Sequence, residues 1–145
     1  MSKIAELLSS GLTITTIVLS VLVVTLWYKS TQVVVAKAKR GKALKTEDWF
    51  IIGVFIGFAG ETLDNLYWLL PWSAAYLNLA VTDTLMQTGV YFNIPLRQGL
   101  GIVAAYCHIR SAMQYHNKDD QRANKALLYA AMAGAAYSLI LALLG

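Results

Sequence analysis

Glu61 and Asp64 stand three residues apart, with Asn65 beside them, inside a stretch otherwise dominated by Ile, Val, Phe, Leu, Ala and Gly. A spacing of three puts both carboxylates on one face of a helix. In an apolar medium such a face can bind a proton, line a pore or meet a cation from a neighbouring helix; the plainer alternative is a neutral carboxyl serving as polar glue. Arg97 is the cation best placed to answer, because a guanidinium fork suits a carboxylate. The remaining candidates are weaker. His108 and His116 are eight residues apart with no carboxylate or thiolate set around them, so no metal site is expected, and no second His sits at an opposing depth to make a haem pair with His108. Cys107 is the single cysteine and reads as a buried, inert thiol. No serine has a His and an acid at triad spacing, and Gly99-Leu100-Gly101 lacks the rest of a phosphate loop. No catalytic residue, cofactor or metal is assigned, and the chain reads as non-enzymatic.

Composition defines the medium these charges inhabit. Of 145 residues, 57% are hydrophobic and 14% charged, with a mean hydropathy of +0.53. A soluble domain carries about a quarter charged residues. Two prolines and one cysteine exclude collagen, low-complexity disorder and a disulfide scaffold. What remains is a single integral membrane domain over residues 1–145: an all-α, multi-pass helical bundle in a lipid bilayer.

Four spans are expected, at residues 8–28, 49–70, 94–113 and 126–144. Residues 7–28 form 22 uncharged positions, enough for the roughly 20 that a bilayer core needs. A cleaved leader fits them poorly, since Lys3 alone precedes the apolar run and no small-residue cleavage site follows. The second span opens at Trp49 and closes near Tyr67, Trp68 and Trp72, interfacial aromatics at both ends, with Pro71 as its stop. The third begins after Asn93 with Pro95 in its first turn. Residues 72–92 mix Trp72, Tyr76 and Met86 with Thr82, Asp83 and Gln87, which suits a short interfacial or re-entrant helix.

Basic residues set the orientation. Lys29, Lys37, Lys39, Arg40, Lys42 and Lys45 follow the first span, and Arg110, Lys118, Arg122 and Lys125 flank the second hairpin, against Lys3 and Arg97 on the opposite side. Both hairpins are therefore expected to be cytoplasmic and both termini extracytoplasmic. The first basic run lies between apolar spans without interleaved aromatics, so anionic headgroups rather than nucleic acid are its partners. Thr46 reads as an N-cap, with Glu47 and Asp48 favoured in the first helical turn.

Depth then decides who meets whom. At about 1.5 Å per residue, Glu61 lies about 18 Å and Asp64 about 22 Å beyond Trp49. In a core of about 30 Å, that leaves Asp64 about 8 Å and Glu61 about 12 Å from the outer boundary. Arg97 enters about 5 Å deep, so it is expected to pair with Asp64. Glu61 has no cation at its own depth and is expected to be protonated and bonded to Asn65 or a hydroxyl, to face a water-filled cavity, or to pair with another subunit. Arg110 is expected to snorkel at the inner end.

Close packing must hold such helices together. Gly53, Gly57 and Gly60 make one smooth face on the second span, and Ala130, Gly134 and Ser138 another on the fourth, serving either intramolecular packing or a subunit interface. A non-enzymatic subunit of a membrane complex, homo- or hetero-oligomeric, is the expected role. In size, span content and basic loops the chain is similar to phage holins, which implies pore formation; its apolar Leu143-Leu144-Gly145 departs from their basic tail. Four-span multidrug carriers are comparable in size and imply proton coupling through Glu61, although their essential acid lies in the first span, which here holds none.

Overall fold

The computed structural model describes residues 3–116 and 120–144; Asn117, Lys118 and Asp119 of the expected polar hairpin lie outside the described residues. Helices make up nearly all of it: α1 (Lys3–Lys39), α2 (Thr46–Tyr76), α3 (Thr82–Thr88), a π-helical turn (Gly89–Asn93), α4 (Ile94–Tyr115) and α5 (Asp120–Leu144). No strand occurs among the described residues. Three helical stretches, Gly11–Lys39, Thr46–Tyr76 and Gln121–Leu144, are long and apolar enough to cross a membrane.

Boundaries differ from expectation where capping, not composition, decides them. The first helix does not give way to a loop at Lys29 but runs on to Lys39. Residues 29–39 contain no Gly or Pro to break it, and Lys37 and Lys39 in the last turn complement the helix dipole. Gly41, at φ 68°, ends it: the Gly41 N–H reaches Ala38 O at 2.9 Å and the Lys42 N–H reaches Lys37 O at 3.3 Å, a Schellman closure that needs a left-handed residue. The basic connection is thus residues 40–45 only. The N-cap of α2 is Lys45, one residue before the expected Thr46, because Asp48 accepts the Lys45 N–H at 2.7 Å and closes the first turn itself. Lys37 ion-pairs with the same Asp48 carboxylate, so part of the basic run staples α1 to α2.

Pro71 does not stop α2. The helix passes through it to Tyr76, with Pro71 fully buried. A proline deletes one N–H from the ladder, and in a long, packed helix that loss is local. The stop is Asn78, at φ 53°, with Asn78 N–H to Ala75 O at 3.1 Å and Leu79 N–H to Ala74 O at 2.9 Å, a second Schellman closure. Pro95 stands in the first turn of α4, as expected, but α4 does not start from a loop. α3, the π turn and α4 form one uninterrupted helical run, so the missing Pro95 N–H falls inside it, just after the widened turn. The expected single interfacial helix over 72–92 is thereby divided between the end of α2, a turn, α3 and most of the π turn.

The helices do not close into a four-helix bundle. α2 is central, with α1 on it and α4 in the most extensive contact of the structure; among the described residues α1 touches α2 alone and α5 touches α4 alone. Glycines set the α2–α4 distance. Gly53 and Gly60 are buried, and a Cβ on Gly60 would come within 3.2 Å of Leu100 Cβ, while one on Gly53 would meet the His108 ring at 3.0 Å. Gly57 faces Ala104 Cβ at an ordinary 3.6 Å. The expected small face of α5 is not used within the chain: nothing lies within 4 Å of a Cβ on Gly134, and none of the apolar window of α5 is buried.

Replacing Gly60 by Leu is therefore expected to force α2 from α4 and destabilise the fold by about 1–3 kcal/mol. Gly99→Leu, where a Cβ meets nothing within 4 Å, is the control and should leave the melting temperature in detergent unchanged. Equal melting of the two variants would contradict this packing.

Candidate functional site

The α2–α4 seam carries the charged cluster. Asp64, at the centre, is buried; it accepts hydrogen bonds from Asn93 Nδ2 at 2.6 Å and Trp68 Nε1 at 3.0 Å and ion-pairs with Arg97, whose Nε lies 3.2 Å away. Four residues separate Asp64 from Trp68, so the indole reaches back one helical turn to its own helix's carboxylate. Asn93 comes from the π turn, where the wider winding turns its amide onto α2. That turn is pinned by close approach. A Cβ on Gly89 would stand 2.8 Å from the Trp68 ring and 2.9 Å from Tyr67, and the Tyr67 hydroxyl donates to Leu85 O at 2.7 Å.

Arg97 serves two carboxylates at once. Its Nη2 lies 2.8 Å from Glu61 Oε2 while its Nε faces Asp64. This corrects the expectation that Glu61 lacks a cation. Counting rise between Cα atoms put Arg97 one turn too far out, but the guanidinium sits at the end of a long side chain, and two acids three residues apart fall within its fork. Asn65 Nδ2 completes the Glu61 shell, 3.2 Å from Oε1 and 2.9 Å from the Glu61 carbonyl oxygen. Exposure divides the acids. The Asp64 side chain is 12% exposed, Glu61 35% and Arg97 50%, so Asp64 is anchored while the other two open onto a trough.

That trough runs along one side of the seam. A cavity of about 270 Å³ is lined by Gly57, Gly60, Glu61, Arg97, Gln98 and Gly101. A second, of about 320 Å³, shares Gly57 and Glu61 and extends to Gly53 and His108. His108 is exposed there, against Gly53 and 5.5 Å from the Phe50 ring. His116 lies at the other end of a different contact, edge-on to Tyr115, so the two imidazoles are not brought together. Cys107 is buried.

The far end of α4 forms a joint. Arg110 stacks over the Trp49 ring at 4.8 Å and donates from Nη1 to the Tyr106 hydroxyl at 3.1 Å, and that hydroxyl donates to Asn124 Oδ1 at 2.6 Å. The Ser111 hydroxyl donates to Thr46 O at 2.9 Å and Gln114 Nε2 to Leu44 O at 3.3 Å, fixing α4 to the start of α2. Arg110 is thus a structural cation at this joint, where snorkelling alone was expected. Sequence reasoning missed Asn93, Trp68 and Gly89; the sole local signal was Pro95, whose missing donor within a helical run favours a widened turn upstream.

No family model, curated protein or solved structure matches the chain.

Truncating Arg97 to Ala is expected to destabilise the fold by about 2–3 kcal/mol, less than the about 3–5 of a fully buried pair because half of the side chain is open. Asp64→Asn combined with Arg97→Gln should recover part of that loss, a coupling of about 1 kcal/mol or more in a double-mutant melting cycle. Strict additivity of the two variants would show that the pair carries no stability.

Proposed function

We propose that this chain is a non-enzymatic, multi-pass membrane protein that acts as a structural subunit of a membrane assembly. The supporting observation is α5: uncharged over residues 126–144, and without cover from the other described residues except at its start, where Ala123 is buried. A lipid-solvated helix has no hydrophobic drive to pack, so small-residue faces and polar contacts supply the association energy. The chain leaves one such face, Ala130, Gly134 and Ser138, entirely open.

In the membrane, α4 would cross as a fourth span beside α2. Its Arg97, Gln98, His108 and Arg110 make it less apolar than the other three, and its α2 contact answers the most costly of them, Arg97. The Lys- and Arg-rich ends would face the cytoplasm and both termini the opposite side, with α3 at the outer interface. The Arg97–Glu61 ion pair weighs against a proton-coupled carrier built on Glu61.

The half-open Glu61–Arg97 pair favours one second reading, a holin-like channel in which several copies turn these charges onto water. Induced expression with dye-entry and membrane-potential readouts separates it: intact cells at high expression remove the channel.

The assembly itself is tested in mild detergent by size-exclusion chromatography with light scattering and partner identification. A protein mass at a multiple of 15.9 kDa, or a stable co-purifying membrane protein, is expected, collapsing when residues 120–144 are deleted. A lone monomer with no partner would overturn the proposal.

A further inference from the structure

The trough between α2 and α4 has features that lipid does not satisfy. Glu61 and half of the Arg97 side chain open into it, Gln98 stands exposed at its rim, and its floor is Gly57 and Gly101. Acyl chains offer neither donors nor acceptors, so a polar trough at this depth is covered by protein or by water. Its glycine floor lets a neighbouring helix approach closely, most closely one presenting small residues.

The chain's own α5 does not reach it. The Tyr106–Asn124 hydrogen bond fixes α5 against the Tyr106 side of α4, and α5 makes no contact with α2. At about 100° per residue, Arg97 projects about 180° and Gly101 about 140° around α4 from Tyr106. The cover must come from outside the molecule.

We infer that the trough is the seat of α5 from a second copy of this chain, with the Ala130, Gly134 and Ser138 face turned onto Glu61, Arg97 and Gln98. Depth supports this. Counting from the Tyr106–Asn124 bond, Arg97 stands about 13.5 Å along α4 and Gly134 about 15 Å along α5, the same level to within about 2 Å. Ala130, about 9 Å along α5, then meets the glycine floor at Gly101, about 7.5 Å along α4, and the exposed Tyr137, whose long side chain leans back toward its helix N-terminus, brings a hydroxyl to the charged end. Polarity matches as well. Two carboxylates share one guanidinium, leaving lone pairs for hydroxyl donors, and α5 brings no charge of its own to this level. Each copy has one trough and one free helix on nearly opposite sides of α4, so the copies join head to tail, the arrangement that closes into a ring.

This inference rests on the assembly reading, and the experiment separates the two. Two differently tagged chains in a Cys107→Ala background, one with Gln98→Cys and the other with Gly134→Cys, are co-expressed and oxidised in their membranes. A mixed-tag disulfide dimer is expected, several-fold more abundant than with Met132→Cys, which lies at a similar depth about 160° around α5. The same pairs with Cys107 retained, whose burial keeps it from the oxidant, guard against a misfolded background. Gly134→Leu on both chains should abolish tag co-purification. If the tags co-purify but Met132→Cys cross-links as well as Gly134→Cys, or the bond forms only within a chain carrying both cysteines, the seat is wrong and the assembly stands. Tags that never co-purify, with no cross-link, overturn the seat, and the assembly falls with it if no other membrane protein co-purifies either.

Discussion

One guanidinium shared between two carboxylates holds the centre of this molecule. Arg97 bonds Glu61 and faces Asp64, and Asn93, Trp68 and Asn65 supply the donors that one cation does not. A charge brought into hydrocarbon costs at least about 2.5–3.5 kcal/mol on the permissive insertion scale, and an isolated one more. Mutual neutralisation at close range offsets that only if the helices stand at one distance and register. The glycines of α2 set the distance, and the π turn sets the register by carrying Asn93 to Asp64. Substituting either device separates charges that are tolerable only together.

Much of this was legible in the residues. Glu61 and Asp64 on one helix face, Arg97 entering from the same side, and the smooth Gly53, Gly57 and Gly60 stripe all follow from period and reach. Less legible was anything decided by one hydrogen bond. The basic stretch after Tyr28 reads as loop because charge suggests water, yet helix propensity carries it to Lys39 until Gly41 turns the chain. Pro71 reads as a stop because it deletes a donor, but one lost bond does not end a packed helix, and Asn78 does. Asn93 escaped notice because a π turn has no compositional signature beyond the proline that follows it. The isolation of α5 was illegible for another reason: apolarity states what a helix avoids, not which neighbour it takes.

The two ends of the molecule divide the work. At the basic end, the Lys37–Asp48 ion pair, the Arg110–Trp49 stack and the bonds from Ser111 and Gln114 lock α1, α2 and α4 together. The Tyr106–Asn124 bond ties the start of α5 to this joint. Beyond it the helix is free of its own chain. A rigid three-helix layer with a charged trough on one side and an unattached helix on the other has the parts of a building block, which is why assembly is the reading favoured over chemistry within one copy.

All of this requires α4, with its Arg97, Gln98, His108 and Arg110, to stand across the bilayer beside α2. A cysteine scan of α4 from Ile94 to Tyr115, labelled with a membrane-impermeant maleimide in sealed and in opened vesicles, measures that directly. Labelling near Ile94 from one side only, near Tyr115 from the other side only, and protection around Ala104 is the predicted pattern. Labelling of both ends from the same side would place α4 on the surface, and the shared guanidinium would then have no hydrocarbon to be shielded from.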